Sequence, residues 1–351
     1  MGIDMARGLA MAGMTTVHFV ALNQDTGRLN EAANLFSGRA MPLFMMLGGI
    51  GVTFLTRRSS TPERDLLIRA VMLYGLGILM TIYIDRLAIV LQAYGLFFVL
   101  ATVLWRLKSW MLLTLIPIVT AIGAVSFQVV GDPINLTTYD ESFTLSGVES
   151  LVFDGFYPLF PVGAFFIFGI VLGRIDLRSD DVAARLFGFG AVIGVGVHQL
   201  AGLFADVFDL QTNFGRRGNG QFEITRLLDG QGHSQMPVWV ISALGTSAAV
   251  LGFSLLIAKR MPKMVQPLVA IGSLSLTYYV YQAWLTNLVP STLETSIEAE
   301  WIITILVYLS GIGLAVIYKM IFKTGPLERV LRIGSGPKKP TPTQPEAVPT
   351  S

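Results

Sequence analysis

Residues 234–258 read SQMPVWVISALGTSAAVLGFSLLIA and contain no charged side chain. A helix of this length is about 37 Å long at 1.5 Å per residue, more than the roughly 30 Å hydrocarbon core of a bilayer. Lys259 and Arg260 follow at once, and Lys263 comes shortly after them. The stretch therefore predicts a membrane-spanning helix whose C-terminal end lies at a polar interface.

Similar apolar runs occur along most of the chain. They predict ten membrane helices, at 5–22, 38–56, 65–83, 86–105, 109–127, 157–173, 183–206, 234–258, 265–289 and 301–322. The composition agrees, because 53% of the 351 residues are hydrophobic and only 14% are charged, whereas soluble domains carry roughly 25% charged residues. We expect an all-α, polytopic integral membrane protein. Its transmembrane helical domain covers 1–323, and 324–351 form a cytoplasmic tail that is disordered toward its Pro- and Thr-rich end.

Basic residues mark alternate ends of the predicted spans. Arg57, Arg58 and Arg64 follow the second span, and Lys or Arg residues also follow the fourth, sixth, eighth and tenth. The opposite loop 128–156 is acidic and has no Lys or Arg. Since short cytoplasmic loops carry the excess of positive charge, we expect both termini in the cytoplasm.

Several kinds of site are excluded by what the sequence lacks. It contains no cysteine, so disulfides, thiolate metal ligands and cysteine nucleophiles are ruled out. It has no Walker loop or dinucleotide fingerprint, and the glycine-rich stretch 188–196 falls inside a predicted helix, where close packing explains it. The histidine spacing matches no metal-ligand motif. We therefore expect neither a metal site nor a nucleic-acid partner.

Ionisable side chains at membrane depth are costly and so are functional candidates. The predicted topology brings one set of them to the extracytoplasmic level: His18, His198, His233, Arg39, Asp85 and Arg86. Titratable groups at one depth suit proton transfer, so we take this set as the candidate catalytic residues. More ordinary roles remain open, because such residues also bind headgroups, cap helices, form surface ion pairs or fill tight helix contacts.

A second set of charged residues lies at the predicted cytoplasmic side. Asp4 and Arg7 are one helical turn apart and can form a structural ion pair. The basic residues at this side form a predicted binding site for phosphates. With Asp4, which pairs with Arg7, the candidate donor-binding residues are Asp4, Arg7, Arg57, Arg58, Arg106 and Lys108. Arg7 and His18 are eleven residues apart, roughly 16 Å along a helix, which is about the reach of an extended pantetheine arm. The spacing permits, without requiring, a donor that has its phosphates inside and its thioester near a histidine.

Short motifs in this sequence resemble the YeiB-like (DUF418 type) family of bacterial membrane proteins. Residues 2–8, GIDMARG, resemble the D-x-x-R-G start of that family, which also occurs in the heparan-α-glucosaminide N-acetyltransferase group. Further matches follow in the same order: 36–39, 43–44, 47–51, 94–96, 172–174, 233–234, 276–279 and 325–328. His18 departs from the pattern, because many relatives carry Asn there. Whether His18 or His233 is the functional histidine therefore stays open.

The resemblance implies a transmembrane acyltransferase of the bacterial plasma (inner) membrane. Such an enzyme takes an acyl group from cytoplasmic acyl-CoA, here acetyl-CoA or succinyl-CoA, to a hydroxyl or amine of an extracytoplasmic glycan or lipid-linked sugar. A neutral histidine would accept the acceptor's proton, and Arg39 or Arg86 would stabilise negative charge. An acyl-histidine intermediate is a variant of this scheme. Loops 127–156 and 207–232 are expected to select the acceptor. Membrane lipid is an expected partner, and a homo-oligomer is compatible with the sequence.

Two other classes of function remain open. A transporter or lipid exporter would use the same ionisable groups as a proton relay or substrate path, although the sequence shows no convincing internal repeat. A non-catalytic membrane subunit would use its polar groups only to pack helices. Its histidines could then be replaced without loss of any chemistry.

Overall fold

The computed structural model describes residues 1–20, 28–84, 87–129, 150–154, 156–210, 221–288, 296–322 and 324–333. These residues form helices and connecting turns, and none of them belongs to a β-sheet. The α-helices are α1 (Gly2–Phe19), α2 (Arg28–Asn34), α3 (Ala40–Arg58), α4 (Pro62–Tyr83), α5 (Leu91–Leu104), α6 (Ser109–Val129), α7 (Leu159–Leu172), α8 (Asp180–Val207), α9 (Pro237–Arg260), α10 (Gln266–Ser273), α11 (Ser275–Thr286), α12 (Ile297–Ile321) and α13 (Pro326–Ile333). A short π-helix spans Ser150–Asp154, and a 3-10 helix spans Ile224–Leu228.

The membrane-spanning character predicted from the sequence is confirmed for part of the bundle. Among the described helices, six are long and apolar enough to cross a bilayer: α3, α4, α6, α8, α9 and α12. α5 and α7 are apolar but have 14 residues each, about 21 Å of helix, which is shorter than the bilayer core. The predicted span 265–289 is broken at Leu274 into α10 and α11. The all-α class therefore holds, while ten spans and cytoplasmic termini stay predictions.

Helix α3 forms the centre of the bundle. Met45, Met46 and Leu47 are completely buried there and belong to the same apolar cluster as Phe165 and Phe166 of α7. α1 packs against α3, α9, α10 and α12. α8 packs mainly on α9 and exposes large apolar side chains such as Phe189. Apolar surface of this kind suits contact with lipid, which is not penalised by exposed hydrocarbon.

Glycines bring α1 and α10 into backbone contact. A Cβ atom added at Gly272 would overlap the carbonyl oxygen of Asp4, and one added at Gly8 would overlap the carbonyl oxygen of Leu268. Small residues allow membrane helices to approach this closely. The crossing holds the first turns of α1, including Arg7, beside the break between α10 and α11.

Replacing Gly272 with alanine is expected to destabilise the protein, because the added methyl group has no space at this crossing. Overpacking of a close contact typically costs about 1–3 kcal/mol. The matched control is Gly75→Ala in α4, where a Cβ atom meets open space and alanine is the better helix former. Thermal unfolding in detergent should give a lower midpoint for Gly272→Ala than for Gly75→Ala. Equal midpoints would contradict the tight crossing.

The bundle has two ends that differ in their charged residues. The basic end is where α1 begins, α3 ends and α4 begins, and it contains Arg7 and Arg58. The histidine end is where α1 ends and α3 begins, and it contains His18 and Arg39. The start of α9 belongs to the histidine end, because Trp239 Nε1 donates a hydrogen bond to the Gly38 carbonyl oxygen at 3.0 Å.

Candidate active site

A cavity of about 700 Å³ lies at the basic end, between α1, α3, α4, α5, the α10–α11 break and α13. This volume falls within the roughly 300–1,000 Å³ typical of small-molecule sites. The charged residues that line it are Arg7, Arg58, Arg69, Arg332, Asp65 and Glu328. Four guanidinium groups and two carboxylates leave an excess of positive charge, which suits an anionic ligand.

The arginines of this cavity are only partly neutralised by the protein. Arg7 donates to Asp4 Oδ1 at 3.1 Å, whereas Arg58, Arg69 and Arg332 form no ion pair with a carboxylate in the described part of the chain. The Nε atom of Arg69 is buried without a hydrogen-bond partner there. Guanidinium groups in this state bind phosphate and carboxylate oxygens with paired, charge-assisted hydrogen bonds. The polar part of the cavity can therefore hold phosphate groups.

The inner part of the cavity is apolar and ends at an aromatic floor, formed by Phe44, Tyr94 and Phe98. The Tyr94 hydroxyl donates to the Phe44 carbonyl oxygen at 2.5 Å, and the Tyr94 and Phe98 rings stack 6.2 Å apart. Gly48 leaves room for the Tyr94 ring, since a Cβ atom there would stand 2.6 Å from the Tyr94 hydroxyl oxygen. From Arg58 to Phe44 along α3 is about 21 Å. The cavity thus runs from a basic mouth deep into the bundle.

At the histidine end, His18 is held by Gln282 of α11. His18 Nδ1 lies 3.1 Å from Gln282 Oε1. Because an amide oxygen only accepts hydrogen bonds, a neutral His18 bound in this way carries its proton on Nδ1 and a lone pair on Nε2. Gln282 is fully buried, and its Nε2 has no hydrogen-bond partner in the described residues. A histidine oriented in this way can act as a proton acceptor.

The second histidine of this end, His233, lies in a turn that Asp229 builds. Asp229 Oδ1 accepts from the Gln231 N–H at 2.8 Å, and the Asp229 carbonyl oxygen accepts from the Ser234 hydroxyl at 3.0 Å. Burial raises the pKa of the Asp229 carboxyl, against the lowering effect of the Gln231 N–H and of nearby Arg226. His233 adopts a left-handed backbone with φ of 66°. Strain of this kind persists where surrounding contacts impose it, and it is common at functional sites.

Aromatic rings surround His233. Its ring centroid is 4.7 Å from that of Phe156, 6.2 Å from Tyr157 and 5.8 Å from Trp239. Trp239 also holds Gly38 through the indole hydrogen bond. The turn with His233 and the chain segment before Arg39 are thereby fixed side by side.

Arg39 and His198 complete this part of the histidine end. Arg39 and His198 are close enough for an electrostatic interaction between the guanidinium group and the imidazole. Gly230 packs against the His198 ring, since a Cβ atom at Gly230 would overlap His198 Nδ1. The structure therefore gathers His198, His233 and Arg39 around one loop. His18 lies in a separate set of contacts with α11.

The predicted donor-binding residues divide into two groups. Arg7 and Arg58 line the cavity, and Asp4 holds Arg7. Three others do not line it: Arg57 donates to the Arg174 carbonyl oxygen at 3.1 Å, Arg106 pairs with Glu63 at 2.6 Å, and Lys108 lies on the surface. Of the predicted catalytic set, Asp85 and Arg86 lie outside the described residues. Within the described ranges, no group of side chains could hold a metal ion.

Several residues of these sites were missed by the sequence reasoning. Arg69 and Asp65 lie within a predicted span, where a charged side chain is itself a signal. Gln282 is a polar residue inside another predicted span and carries the same, weaker signal. Glu328 and Arg332 come from the predicted tail and lie outside every predicted span. Glu328 ends the motif 325–328, but the role of both residues depends on how α13 folds back.

These features define a class: a membrane helical bundle with an arginine-lined cavity at one end and histidines at the other. Residues 1–201 match the family model described as heparan-alpha-glucosaminide N-acetyltransferase, catalytic. The chain belongs to this family, because the match covers more than half of its 351 residues. Residues 222–336 match a second model, described as protein of unknown function (DUF418). No curated protein sequence shows a significant match.

The two matches confirm the resemblance noted from the short motifs. They cover the segments that carry Arg7, His18, Arg69 and His198, and then those that carry His233 and Glu328. The family indicates an integral membrane protein with an acetyltransferase-like function.

Proposed function

We propose that this protein transfers an acyl group from cytoplasmic acyl-CoA to a hydroxyl or amine of an extracytoplasmic glycan or lipid-linked sugar. The observation that carries the proposal is that α1 links both halves of such a site. Arg7 lines the basic cavity, and His18, oriented by Gln282, lies on the same helix roughly 16 Å further along. In a bacterial plasma membrane, the basic end then faces the cytoplasm and the acyl-CoA donor, and the histidine end faces the extracytoplasmic acceptor.

In the donor half, the CoA phosphates bind the guanidinium groups at the mouth of the cavity. Four arginines line this mouth, and three of them have no carboxylate ion pair in the described part of the chain. The pantetheine arm extends along the apolar walls toward the aromatic floor. Acetyl-CoA and succinyl-CoA are the donors of choice, because a short acyl group leaves the thioester close to this floor.

In the acceptor half, His18 Nε2 accepts the proton of the acceptor hydroxyl or amine as that group attacks the thioester carbonyl carbon. The new bond to the acyl carbon forms, the carbon–sulfur bond breaks, and the CoA thiolate takes the proton from His18 to leave as CoA. The buried amide nitrogen of Gln282, which has no hydrogen-bond partner in the described residues, donates to a second polar atom of the acceptor, because the atom bound to His18 Nε2 lies on the other side of the imidazole from Gln282. Arg39 or Arg86 stabilises the negative charge that develops on the carbonyl oxygen.

The test is direct binding of acetyl-CoA, succinyl-CoA and free CoA to the purified protein by calorimetry, followed by a transfer assay in sealed vesicles. Micromolar binding, and labelled product only when donor and acceptor are on opposite sides, support the proposal. A well-folded protein that binds none of these compounds would refute the donor assignment. Product formation with both substrates on one side alone would refute the transmembrane geometry.

The aromatic floor is expected to limit the length of the acyl chain. Tyr94→Leu removes the ring that closes the cavity, so longer acyl-CoA should gain affinity relative to acetyl-CoA by about tenfold, as for one or two buried methylenes. Tyr94→Phe is the matched control, because it keeps the ring and removes only the hydrogen bond to Phe44. Calorimetry with acetyl-CoA and hexanoyl-CoA measures the ratio. An unchanged ratio in Tyr94→Leu would show that the acyl group does not reach this floor.

A transporter is the second candidate, and the broken helix favours it. The break at Leu274 between α10 and α11 adjoins the cavity, and discontinuous helices often form substrate sites in transporters. The two functions differ in their product. Transport moves an unchanged compound across the vesicle, whereas acyl transfer releases free CoA in equal amount to the acylated acceptor.

A further inference from the structure

The C-terminal helix α13 folds back onto the cavity and is fixed there by Glu328. The Glu328 carboxylate accepts hydrogen bonds from the backbone N–H groups of Leu276 and Thr277, at 2.8 and 3.1 Å. It also accepts one from the Thr277 hydroxyl at 2.6 Å. Three hydrogen bonds thus join two segments about 50 positions apart in sequence.

The break between α10 and α11 explains why a carboxylate is bound at this point. A helix start leaves backbone N–H groups without intrahelical partners and carries partial positive charge. No side chain of α11 itself caps its start, and Glu328 supplies the missing acceptors from α13. These hydrogen bonds are charge-assisted and all made by one carboxylate, so they fix the position of α13 against α11.

One turn beyond Glu328, α13 contributes two further residues to the cavity. Leu331 packs against the apolar cluster and lines the wall, and Arg332 lines the mouth together with Arg7 and Arg69. Arg332 donates to Thr324 at 3.3 Å and has no carboxylate ion pair in the part of the chain that is described. The hydrogen bonds of Glu328 therefore hold the helix that carries this arginine against the start of α11.

We propose that α13 is part of the donor site, with Arg332 as a phosphate-binding residue and Glu328 as the residue that positions it. This inference rests on the proposed function, because it takes the phosphates of acyl-CoA as the ligand. It adds a requirement, namely that the segment after the last long helix closes on the donor. Loss of the Glu328 contact leaves the arginines on α1, α3 and α4 in their positions and removes only the contribution of α13.

The first experiment measures the position of α13 without any ligand. Since the chain has no cysteine, Leu331→Cys introduces a single thiol at the cavity wall, and Val330→Cys gives an exposed control on the same helix. Adding Glu328→Gln is expected to raise the maleimide labelling rate of Cys at 331 on the order of tenfold, as for loss of a charge-assisted contact. The maleimide labelling rate of the cysteine introduced at position 330 should not change. Thr277→Val removes the two hydrogen bonds of the Thr277 hydroxyl, to Glu328 and from the Leu327 N–H, and keeps the two backbone ones to Glu328. It should give a smaller increase and serves if Glu328→Gln folds poorly.

The second experiment adds CoA at saturating concentration. CoA is expected to slow labelling at 331 in the chain with native Glu328, and Glu328→Gln is expected to abolish that protection. Arg332→Gln should weaken CoA binding about tenfold, whereas Arg329→Gln, on the same helix but away from the cavity, should not. Equal labelling rates with and without Glu328, or equal effects of the two arginine substitutions, overturn the inference. Failure of the native chain to bind CoA instead refutes the proposed function and the donor role of α13 with it, while the ligand-free rates still decide the Glu328 contact.

Discussion

Replacing Arg69 with glutamine is expected to weaken the binding of acetyl-CoA about 10- to 100-fold, the usual range for one charge-assisted hydrogen-bonding group. Arg69 lies about two turns into α4, with its Nε buried and without a hydrogen-bond partner in the described residues. Arg7 and Arg332 repel it, and Asp65 attracts it. A bound phosphate would supply the missing acceptor and relieve this repulsion.

The same substitution is expected to leave the ligand-free protein as stable as before or slightly more stable. Removing one charge from a group of like charges lowers their repulsion, and sites built for a ligand commonly reduce stability in this way. Loss of affinity with no loss of stability would separate a binding role from a packing role.

Arg64→Gln is the matched control for Arg69→Gln. Arg64 lies on the same helix, is exposed and does not line the cavity. Calorimetry should show that it binds acetyl-CoA with unchanged affinity, and thermal unfolding should show that both variants are folded. If Arg64→Gln and Arg69→Gln weaken binding equally, the effect is one of overall charge and the cavity is not the donor site.

The sequence predicts the helices well where their apolar runs are continuous. The runs at 38–56, 65–83 and 234–258 correspond to α3, α4 and α9 within a few residues, because lipid contact demands an uninterrupted apolar helix. The prediction fails for the span 265–289, which is two helices in the structure, α10 and α11. The helix start after Leu274 is capped by Glu328, a partner about 50 residues away, and no local pattern carries that information.

The candidate sites were predictable to a similar degree. Arg7 and Arg58 could be found because basic residues at span ends follow a general rule. Arg57 and Arg106 obey the same rule and yet bind Arg174 and Glu63. Sequence position alone does not distinguish an arginine that faces a cavity from one that ties two helices together, since that difference depends on how the helices rotate against one another.

The histidine end illustrates a different limit. The sequence brings His18, His198 and His233 to one level, and the structure separates them into two sets of contacts. His198 and His233 surround one loop with Arg39, whereas His18 is bound to Gln282. The depth of a residue follows from its position along a helix. Its partner follows from tertiary packing, so the open choice between His18 and His233 needs an experiment.

Replacing His18 with glutamine is expected to reduce the rate of acyl transfer about 10²- to 10⁴-fold, the usual contribution of a general base. The affinity for acetyl-CoA should stay within about twofold, because His18 does not line the cavity whose arginines bind the CoA phosphates. Gln282→Leu should reduce the rate by a smaller factor, because it removes the group that orients His18 while the imidazole remains. Transfer rates at saturating donor, with calorimetry beside them, measure both effects.

The matched variants are His198→Gln and His233→Gln, which test the other set of contacts with the same change of side chain. If His18 is the base, both retain most of the maximal rate, and an increased KM for the acceptor in either would indicate a role in acceptor binding. If His233→Gln abolishes transfer and His18→Gln does not, the proton acceptor lies in the turn built by Asp229. If all three variants transfer at the native rate, no histidine serves as the base, and the proton of the acceptor goes to another group.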